Sequence, residues 1–142
     1  MTIELKVKKI HPDAQVPIYG SEEAAGLDLF SIEDYELKIG ETYIFKTGIQ
    51  MEIPRGYAGL IWDRSGLSSK KSIEKVAGVI DSDYRGEIGI ALHNQSGKNY
   101  MINKGDKIAQ MLIQRVERVF IHVVSNLSES TRGEGGFGST GK

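Results

Sequence analysis

Alternation of apolar and polar side chains dominates this chain and predicts β-strands. Ile3, Leu5 and Val7 alternate with charged residues, which is the pattern of a half-buried strand. Further segments with strand character are residues 42–45, 87–93, 107–114 and 116–124. The last of these is dense in β-branched side chains, which favour extended backbone.

Turn signals separate these segments at intervals of mostly about 8 to 16 residues. They are Pro12-Asp13, Ile39-Gly40, Pro54-Arg55-Gly56, Ser96-Gly97 and Lys104-Gly105. One short helix is predicted around residues 67–72, and the chain shows neither a long amphipathic helix nor an internal repeat. Many short strands joined by regular turns indicate an all-β sandwich or barrel. We expect one β domain over residues 1–127.

The last 15 residues, 128–142, differ in composition from the rest. They read SESTRGEGGFGSTGK and contain five glycines and one aromatic residue, Phe137. A segment this poor in apolar side chains cannot form a core, so a flexible tail is predicted. Such a tail is commonly without function. Its cation, aromatic ring, hydroxyls and free backbone amides would nevertheless suit a segment that closes over a phosphorylated ligand.

Charge and cysteine content exclude several classes of protein. The net charge is −1, from 18 basic and 19 acidic residues, which argues against binding nucleic acid through bulk charge. Cysteine is absent, so disulfides, thiolate zinc sites and a cysteine nucleophile are excluded. The first residues lack an apolar signal core and no segment approaches a membrane span, so a cytoplasmic protein of cellular or viral source, without a membrane partner, is expected.

Two motif matches in the tail are rejected. Gly133, Gly135 and Gly138 form a GxGxxG pattern, and residues 136–142 match the start of a P-loop. Both motifs need a helix that follows directly, and no such helix can follow here. The three histidines are far apart in sequence and without ligand spacing, so they do not indicate a metal site.

A charged hairpin is the first candidate site. Residues 77–94 read AGVIDSDYRGEIGIALHN, with charged residues around Gly86 between two strand-like segments. One interpretation is an ordinary hairpin with a charged tip. The other is a pocket in which Gly78 and Gly89 let a planar ligand approach the backbone and Asp81, ionised at neutral pH, serves as a general base.

Three further segments contain candidate residues whose ordinary interpretations stay open. Arg64-Ser65-Gly66 could cradle a phosphate, or Ser65 could simply cap a helical turn. Asp28 is a carboxylate within an apolar strand, where such a group is usually paired with a cation or hydrogen-bonded. Gln110 follows the turn at 105–106, and could be just a polar strand position.

Taken together and in this order, five segments resemble the motifs of the trimeric dUTP diphosphatase (dUTPase) family. They are AAGLDL (24–29), DRSGLSSK (63–70), AGVIDSDYRGEIG (77–89), GDKIAQ (105–110) and RGEGGFGSTG (132–141). The resemblance covers nearly the whole chain. Its third segment is the most specific, and the third and fifth segments seldom occur together by chance.

This resemblance implies a jelly-roll-like β fold assembled as a homotrimer, whose three active sites lie at subunit interfaces. It also implies that the tail of another subunit closes each site. The implied reaction is hydrolysis of dUTP to dUMP and pyrophosphate, with Mg²⁺ on the triphosphate. Such an enzyme limits uracil in DNA and supplies dUMP for thymidylate synthesis.

The resemblance also assigns roles to individual residues. Asp81 would activate the water that attacks the α-phosphorus, and Asp28 would reach the metal through water. The residues expected around uracil and deoxyribose are Gly78, Val79, Ile80, Tyr84 and Gly89. The residues expected around the phosphates are Arg64, Ser65, Gly66 and Gln110. The tail residues expected to close the site are Arg132, Phe137, Gly138, Ser139 and Thr140.

Two departures from the family pattern and two rival functions remain. Ser68-Ser69 replaces the more usual small apolar pair, which touches no proposed site residue. Trp62 and Asp63 precede Arg64, where many relatives carry small residues and a proline, so local packing near the phosphates is in question. A dCTP deaminase shares the fold, but its catalytic glutamate would fall at Ala91 here. A nucleotide-sensing module that has lost catalysis is the other rival, and the presence of Asp81, Tyr84 and Phe137 speaks against it.

Overall fold

The computed structural model describes residues 2–141 and confirms the prediction of an all-β chain. Within these residues it contains eleven strands and one short helix. The strands are β1 (Lys6–Lys9), β2 (Ile18–Tyr19), β3 (Leu27–Phe30), β4 (Tyr35–Leu37), β5 (Thr42–Glu52), β6 (Tyr57–Trp62), β7 (Ile73–Lys75), β8 (Val79–Ile80), β9 (Glu87–Asn94), β10 (Tyr100–Ile102) and β11 (Lys107–Arg115). The helix is α1 (Ser65–Lys71).

The strands form two main sheets and one small strand pair. The first sheet has the order β1-β5-β9-β7, the second has the order β2-β3-β11-β6-β8, and β10 pairs with β4. Every pairing is antiparallel. Neighbours such as β3 and β11 lie far apart in sequence, so the second sheet collects segments from most of the chain.

The core lies between the inner faces of the two main sheets. Phe45 and Ile90 of the first sheet and Leu29 and Met111 of the second belong to one buried cluster. Strand β9 shows the pattern that the sequence predicts, because alternate residues along it point into this cluster and are buried. Burial of such side chains is the main source of stability for a sandwich of this kind.

A bulge in β5 lies beside the charged hairpin. Gly48 has a φ of 69°, and the pairing of β5 with β9 shifts register between Lys46 and Gln50. The extra residues bend β5 at the point where β9 begins. Thr47 donates a hydrogen bond from its hydroxyl to the backbone oxygen of Ile88 at 2.5 Å, which fixes this bend to the start of β9.

The helix confirms its prediction but begins two residues earlier than expected, at Ser65 instead of residue 67. Arg64 occupies the N-cap position and no side chain caps the helix, so the interpretation of Ser65 as a cap is wrong. No helix in the described part of the chain is long and apolar enough to cross a membrane.

The strand predicted over residues 116–124 is not formed within the chain. Residues 116–127, called the arm from here on, pair with no strand among residues 2–141. Its apolar side chains are unusually open, with Val119 79%, Phe120 91%, Ile121 79% and Val123 88% exposed. The β-branched composition favours a strand, but no strand among residues 2–141 pairs with this segment.

Candidate active site

The charged hairpin forms a pocket of about 200 Å³. Its lining is contributed by both sides of the hairpin: Val79, Ile80, Asp81, Tyr84, Glu87, Ile88 and Gly89. The carboxylate of Asp81 is exposed at the point where β8 ends. The pocket therefore joins a solvent-facing carboxylate, an aromatic ring and a bare backbone position, as the sequence predicts.

Tyr84 is held in place by the hairpin itself. Its hydroxyl donates a hydrogen bond to the backbone oxygen of Glu87 at 2.9 Å, and its backbone N–H donates to the backbone oxygen of Asp81 at 3.2 Å. The ring folds back over Gly86, where a Cβ would lie 2.5 Å from Tyr84 Cζ. Arg85 closes the tip by donating to the backbone oxygens of Ser82 and Tyr84. Gly86 is therefore required for the orientation of Tyr84.

Gly89 lines the pocket, whereas Gly78 does not. The backbone oxygen of Gly78 accepts a hydrogen bond from Ile61 N–H at 2.7 Å, so this group is used in the second sheet. A Cβ at Gly78 would lie 3.0 Å from the backbone oxygen of Ile61 and 3.2 Å from Lys75 Nζ. The structure thus gives Gly78 a packing role between β6 and β7, and separates it from Gly89.

A second cluster, called the cradle, forms across three adjacent strands of the second sheet. Gln110 of β11 lies in register with Asp28 of β3 on one side and Trp62 of β6 on the other. Arg64 follows β6 directly and its Nη1 contacts Asp28 Oδ1 at 2.5 Å. Antiparallel register therefore brings together three predicted phosphate or metal residues that are distant in sequence.

The side chain of Gln110 is fixed from two directions. Its Nε2 donates one hydrogen bond to the backbone oxygen of Asp63 at 2.9 Å, which leaves the second N–H of this amide available to a ligand. On the other side Gly26 is so close that a Cβ there would lie 2.7 Å from Gln110 Oε1 and 3.1 Å from its Cβ. Gly26 therefore leaves the space that the amide occupies.

We expect Gly26→Ala to displace the Gln110 amide and to weaken substrate binding. A Cβ cannot remain 2.7 Å from Oε1, so the side chain must rotate away from Asp63. Losing one donor to a charged group corresponds to about a tenfold change in KM. Steady-state kinetics on Gly26→Ala and on Gly97→Ala would measure it, since a Cβ at Gly97 meets open space. Equal KM values in the two variants would contradict the role of Gly26.

Asp28 is buried and carries two cationic partners. It is 3% exposed, with Arg64 Nη1 at Oδ1 and Lys107 Nζ 3.1 Å from Oδ2. The expectation of a cation beside this strand carboxylate is therefore confirmed twice over. Among the described residues, Oδ2 receives no aligned hydrogen bond, so it can still accept one from a water molecule.

Arg64, Ser65 and Gly66 lie at the start of α1, at the edge of the cradle. Ser65 and Gly66 are exposed, and a Cβ at Gly66 would meet no heavy atom within 4 Å. The first N–H groups of a helix lack partners within it, so these amides are free to face an oxygen-rich ligand. The structure places all three predicted residues together.

Trp62 and Asp63, one departure from the family pattern, are accommodated by β7. Asp63 accepts a hydrogen bond at Oδ1 from the backbone N–H of Lys75 at 2.5 Å. The Lys75 ammonium lies 5.7 Å from the centroid of the Trp62 ring, which is half-exposed. These contacts tie the end of β6 to β7 and leave Arg64 free to reach Asp28, so the departure does not disturb the cradle.

The tail is not brought to either cluster. All five predicted closing residues are exposed, namely Arg132, Phe137, Gly138, Ser139 and Thr140. The side chain of Phe137 is fully exposed. The hydrogen bonds recorded for residues 128–141 all join members of this segment, for example Arg132 Nε to the backbone oxygen of Gly135 at 2.7 Å. Lys142, the last residue of the tail as delimited above, lies outside the described residues.

Sheet register keeps the hairpin pocket and the cradle apart. In β8, Ile80 pairs with Gly59 of β6, three residues before Trp62 in the cradle row. At about 3.3 Å per residue, this register places Ile80 roughly 10 Å along the strands from that row, and Asp81 lies one residue further away. Within one chain the structure therefore offers two partial sites and a tail, each with different chemistry.

A comparison of this chain with models of protein families identifies the family to which it belongs. The family model described as dUTPase matches residues 12–141. The chain belongs to the dUTPase family. The match spans the hairpin pocket, the cradle and the tail, so it includes every segment on which the sequence resemblance rested.

Relatives and solved dUTPase structures agree over almost the full length. The deoxyuridine 5'-triphosphate nucleotidohydrolase of Clostridium tetani is 47% identical over 97% of this chain and 97% of its own. The dUTPase of Staphylococcus bacteriophage 80alpha, solved with dUpNHpp, is 31% identical with a TM-score of 0.90 and covers 99% of this chain and 100% of its own.

A second solved dUTPase concerns metal binding. The structure of a variant dUTPase from phage phi11 of S. aureus, which describes coordination of a structural Mg(II) ion, is 29% identical. Its TM-score is 0.84, and the match covers 89% of this chain and 100% of that one. The predicted membership is thus confirmed, and the chain is an enzyme of the nucleotidohydrolase type.

Sequence reasoning missed three dUTPase residues that the structure places at the site. Lys107 contacts Asp28, while Gly26 and Gly86 make room for Gln110 and Tyr84. A signal for Lys107 was present, because a carboxylate in an apolar strand needs compensating charge. The two glycines carry no such signal. Gly26 makes room for Gln110, which only the fold brings close to it, and Gly86 makes room for the Tyr84 ring, which bends over it only in the folded hairpin.

Proposed function

We propose that this dUTPase hydrolyses dUTP to dUMP and pyrophosphate, and that Asp81 activates the water that attacks the α-phosphorus. The observation that carries this proposal is the hairpin pocket, which combines Asp81, the fixed ring of Tyr84 and the bare backbone of Gly89 in one cavity. In this role the enzyme would limit uracil in DNA and supply dUMP for thymidylate synthesis.

Asp81 is the base in the proposed reaction. Its backbone oxygen is tied to the N–H of Tyr84, so the residue is positioned while its carboxylate faces solvent. The carboxylate accepts a proton from the water as the oxygen–phosphorus bond forms. The bond from the α-phosphorus to its bridging oxygen then breaks, and pyrophosphate leaves. No covalent enzyme intermediate is needed, so a single correctly placed carboxylate is sufficient.

The hairpin pocket is proposed to bind the deoxyuridine. Backbone groups of Val79, Ile80 and Gly89 would read the edge of uracil, and Gly78 would support them from the sheet. Cytosine presents an amino donor where uracil has an acceptor, and such a buried mismatch costs on the order of 1–3 kcal/mol. The ring of Tyr84 would lie under the sugar and occupy the space that a 2′-hydroxyl requires.

The cradle is proposed to bind the triphosphate. The Arg64 guanidinium, the free N–H of Gln110 and the amides of Ser65 and Gly66 offer donors to its oxygens, and donors that face developing negative charge stabilise the transition state. Positively charged side chains outnumber carboxylates in this cluster, with Arg64 and Lys107 around Asp28. This surplus suits a polyanionic substrate.

The residues present fit a hydrated Mg²⁺ carried by the substrate. Asp28 Oδ2 is buried without an aligned hydrogen bond, so it can accept one from a metal-bound water. Direct coordination is not favoured, because Lys107 lies 3.1 Å away and no group of three metal-ligating side chains occurs among residues 2–141. When bound, Mg²⁺ would neutralise charge on the phosphates, and Asp28 would hold it indirectly.

A homotrimer with shared sites is proposed on the evidence of the arm. Five apolar side chains of this segment are each at least 79% exposed, far more than a stable monomer tolerates over one continuous stretch. We propose that an apolar groove of about 420 Å³, lined in part by Leu5, Val7 and Ile113, accepts the arm of a second copy. The tail that follows the arm would then reach a neighbouring site.

We expect substitution of Val119 and Ile121 by serine to abolish assembly. Covering a Val or Ile side chain contributes about 1.5–3 kcal/mol, and the loss would be repeated in every subunit. Analytical ultracentrifugation should show a trimer for the natural chain and a monomer for the double variant. His122→Ser, in the same arm, should leave the trimer intact. A trimeric double variant, or a monomeric natural chain at micromolar concentration, would refute the arm's role.

The proposed function itself is tested by pyrophosphate release. The enzyme is incubated with Mg²⁺ and, separately, with dUTP, dCTP, dTTP and UTP, and both pyrophosphate and the nucleoside monophosphate are quantified. Release from dUTP alone is expected. Ammonia release from dCTP would identify a deaminase instead, and binding of dUTP without release would identify a sensing module.

A further inference from the structure

Lys107 lies in the segment GDKIAQ, and the only part given to it so far is the positive charge that it brings to the cradle. It is the first residue of β11, three positions before Gln110, and its side chain is 40% exposed. Its Nζ lies 3.1 Å from Asp28 Oδ2 without the alignment of a hydrogen bond. Lys107 therefore acts on Asp28 mainly through its charge.

The charges of this cluster are linked through the buried carboxylate. Arg64 lies at Oδ1 of Asp28 and Lys107 lies at Oδ2, so each cation faces one oxygen. A buried carboxylate that loses one partner draws more strongly on the other, because an uncompensated charge is costly in a poorly solvated place. Without Lys107, the guanidinium of Arg64 would be the sole cation compensating Asp28.

We propose that Lys107 is a positioning residue that acts through Asp28 and leaves Arg64 free to face the triphosphate. This inference rests on the proposed function of the cradle. Lys107 compensates the negative charge at Asp28 Oδ2, so Arg64 can share its donors between Asp28 and a phosphate oxygen. Arg64 has donors to spare, since its guanidinium carries five N–H groups.

Lys107→Met is the central variant of the test. We expect KM for dUTP at saturating Mg²⁺ to rise about tenfold while kcat changes little, since binding is weakened and the attacking water is untouched. Lys107→Arg, which restores the charge, should recover the natural KM. Lys104→Met is the matched control, because Lys104 lies on the same turn but pairs with exposed Asp13. Its KM should not change.

A double-mutant cycle of Lys107 and Asp28 distinguishes a positioning role of Lys107 from direct contact between Lys107 and a phosphate. The affinity for dUpNHpp is measured by calorimetry in the natural enzyme, Lys107→Met, Asp28→Asn and the double variant. If Lys107 acts through Asp28, Lys107→Met weakens binding in the natural background and has less than about twofold effect beside Asp28→Asn. An equal loss in both backgrounds would mean direct contact and would overturn the proposal.

Two further results have distinct meanings. Unchanged KM in Lys107→Met, with a raised KM in Arg64→Ala, would remove the role of Lys107 and leave the proposed function standing. Absence of pyrophosphate release by the natural enzyme would remove the proposed function, whatever the variants do. If Lys107→Met does not fold, as judged by circular dichroism, Lys107→Gln undergoes the same measurements with the same expected outcomes.

Discussion

Replacement of Asp81 by asparagine should reduce pyrophosphate release from dUTP by roughly 100- to 10,000-fold, the range attributed to a general base. Asparagine keeps the shape of the side chain but cannot accept a proton from the attacking water. Because Asp81 is exposed and its structural hydrogen bond uses only the backbone oxygen, the fold of the hairpin should not change. Single-turnover kinetics with direct detection of dUMP would measure the loss.

Asp83→Asn is the matched control for this variant. Asp83 lies in the same exposed hairpin tip and carries the same charge, but it does not line the pocket. Its replacement should leave turnover within about twofold of the natural enzyme, in line with ordinary surface substitutions. Affinity for dUpNHpp should be retained in both variants. A comparable loss of activity in Asp83→Asn would reassign the effect to hairpin charge, and full activity in Asp81→Asn would exclude Asp81 as the base.

Removal of residues 132–142 should cripple turnover while the rest of the enzyme stays folded. The described tail residues are exposed and bond only among themselves, so the core loses nothing with them. The reaction would lose the donors of Arg132, Ser139 and Thr140 and the cover of Phe137. Loss of one donor to a developing charge already costs about 100-fold or more, so a decrease of at least that size in kcat is expected.

The tail experiment needs thermal unfolding, sedimentation and kinetics on the same preparation. The melting temperature and the oligomeric state should match those of the full chain. Glu134→Gln is the control within the tail, since no role is proposed for this side chain, and it should retain activity. Normal turnover by the truncated enzyme would contradict the proposal that the tail closes the site.

The alternation of apolar and polar residues was sufficient to predict several of the strands of this molecule. The alternation in residues 87–93 and 107–114 reappears as β9 and β11, and the charged segment between Val79 and Gly89 is the hairpin pocket. These features are local, because side chains on one strand alternate between core and solvent whatever the strand's neighbours are. Local patterns are what a single sequence records best.

Features that depend on distant neighbours were not predictable in the same way. The dependence of Gln110 on Gly26 exists only because β11 lies against the segment that leads into β3. The arm shows a related limit. Its β-branched side chains favour a strand, but composition does not reveal that no strand among residues 2–141 pairs with it. The same holds for Phe137, whose partner is not determined by the residues beside it in sequence.

The position of β11 between β3 and β6 also determines when the cradle can form during protein synthesis. Asp28 and Arg64 emerge from the ribosome well before Gln110, the residue that lies in register between their strands. Until β11 has been made, the second sheet has a gap at its centre and the carboxylate of Asp28 lacks Lys107. A nascent chain that ends before β11 therefore lacks both Gln110 and Lys107, and the cradle is complete only when this strand closes the sheet.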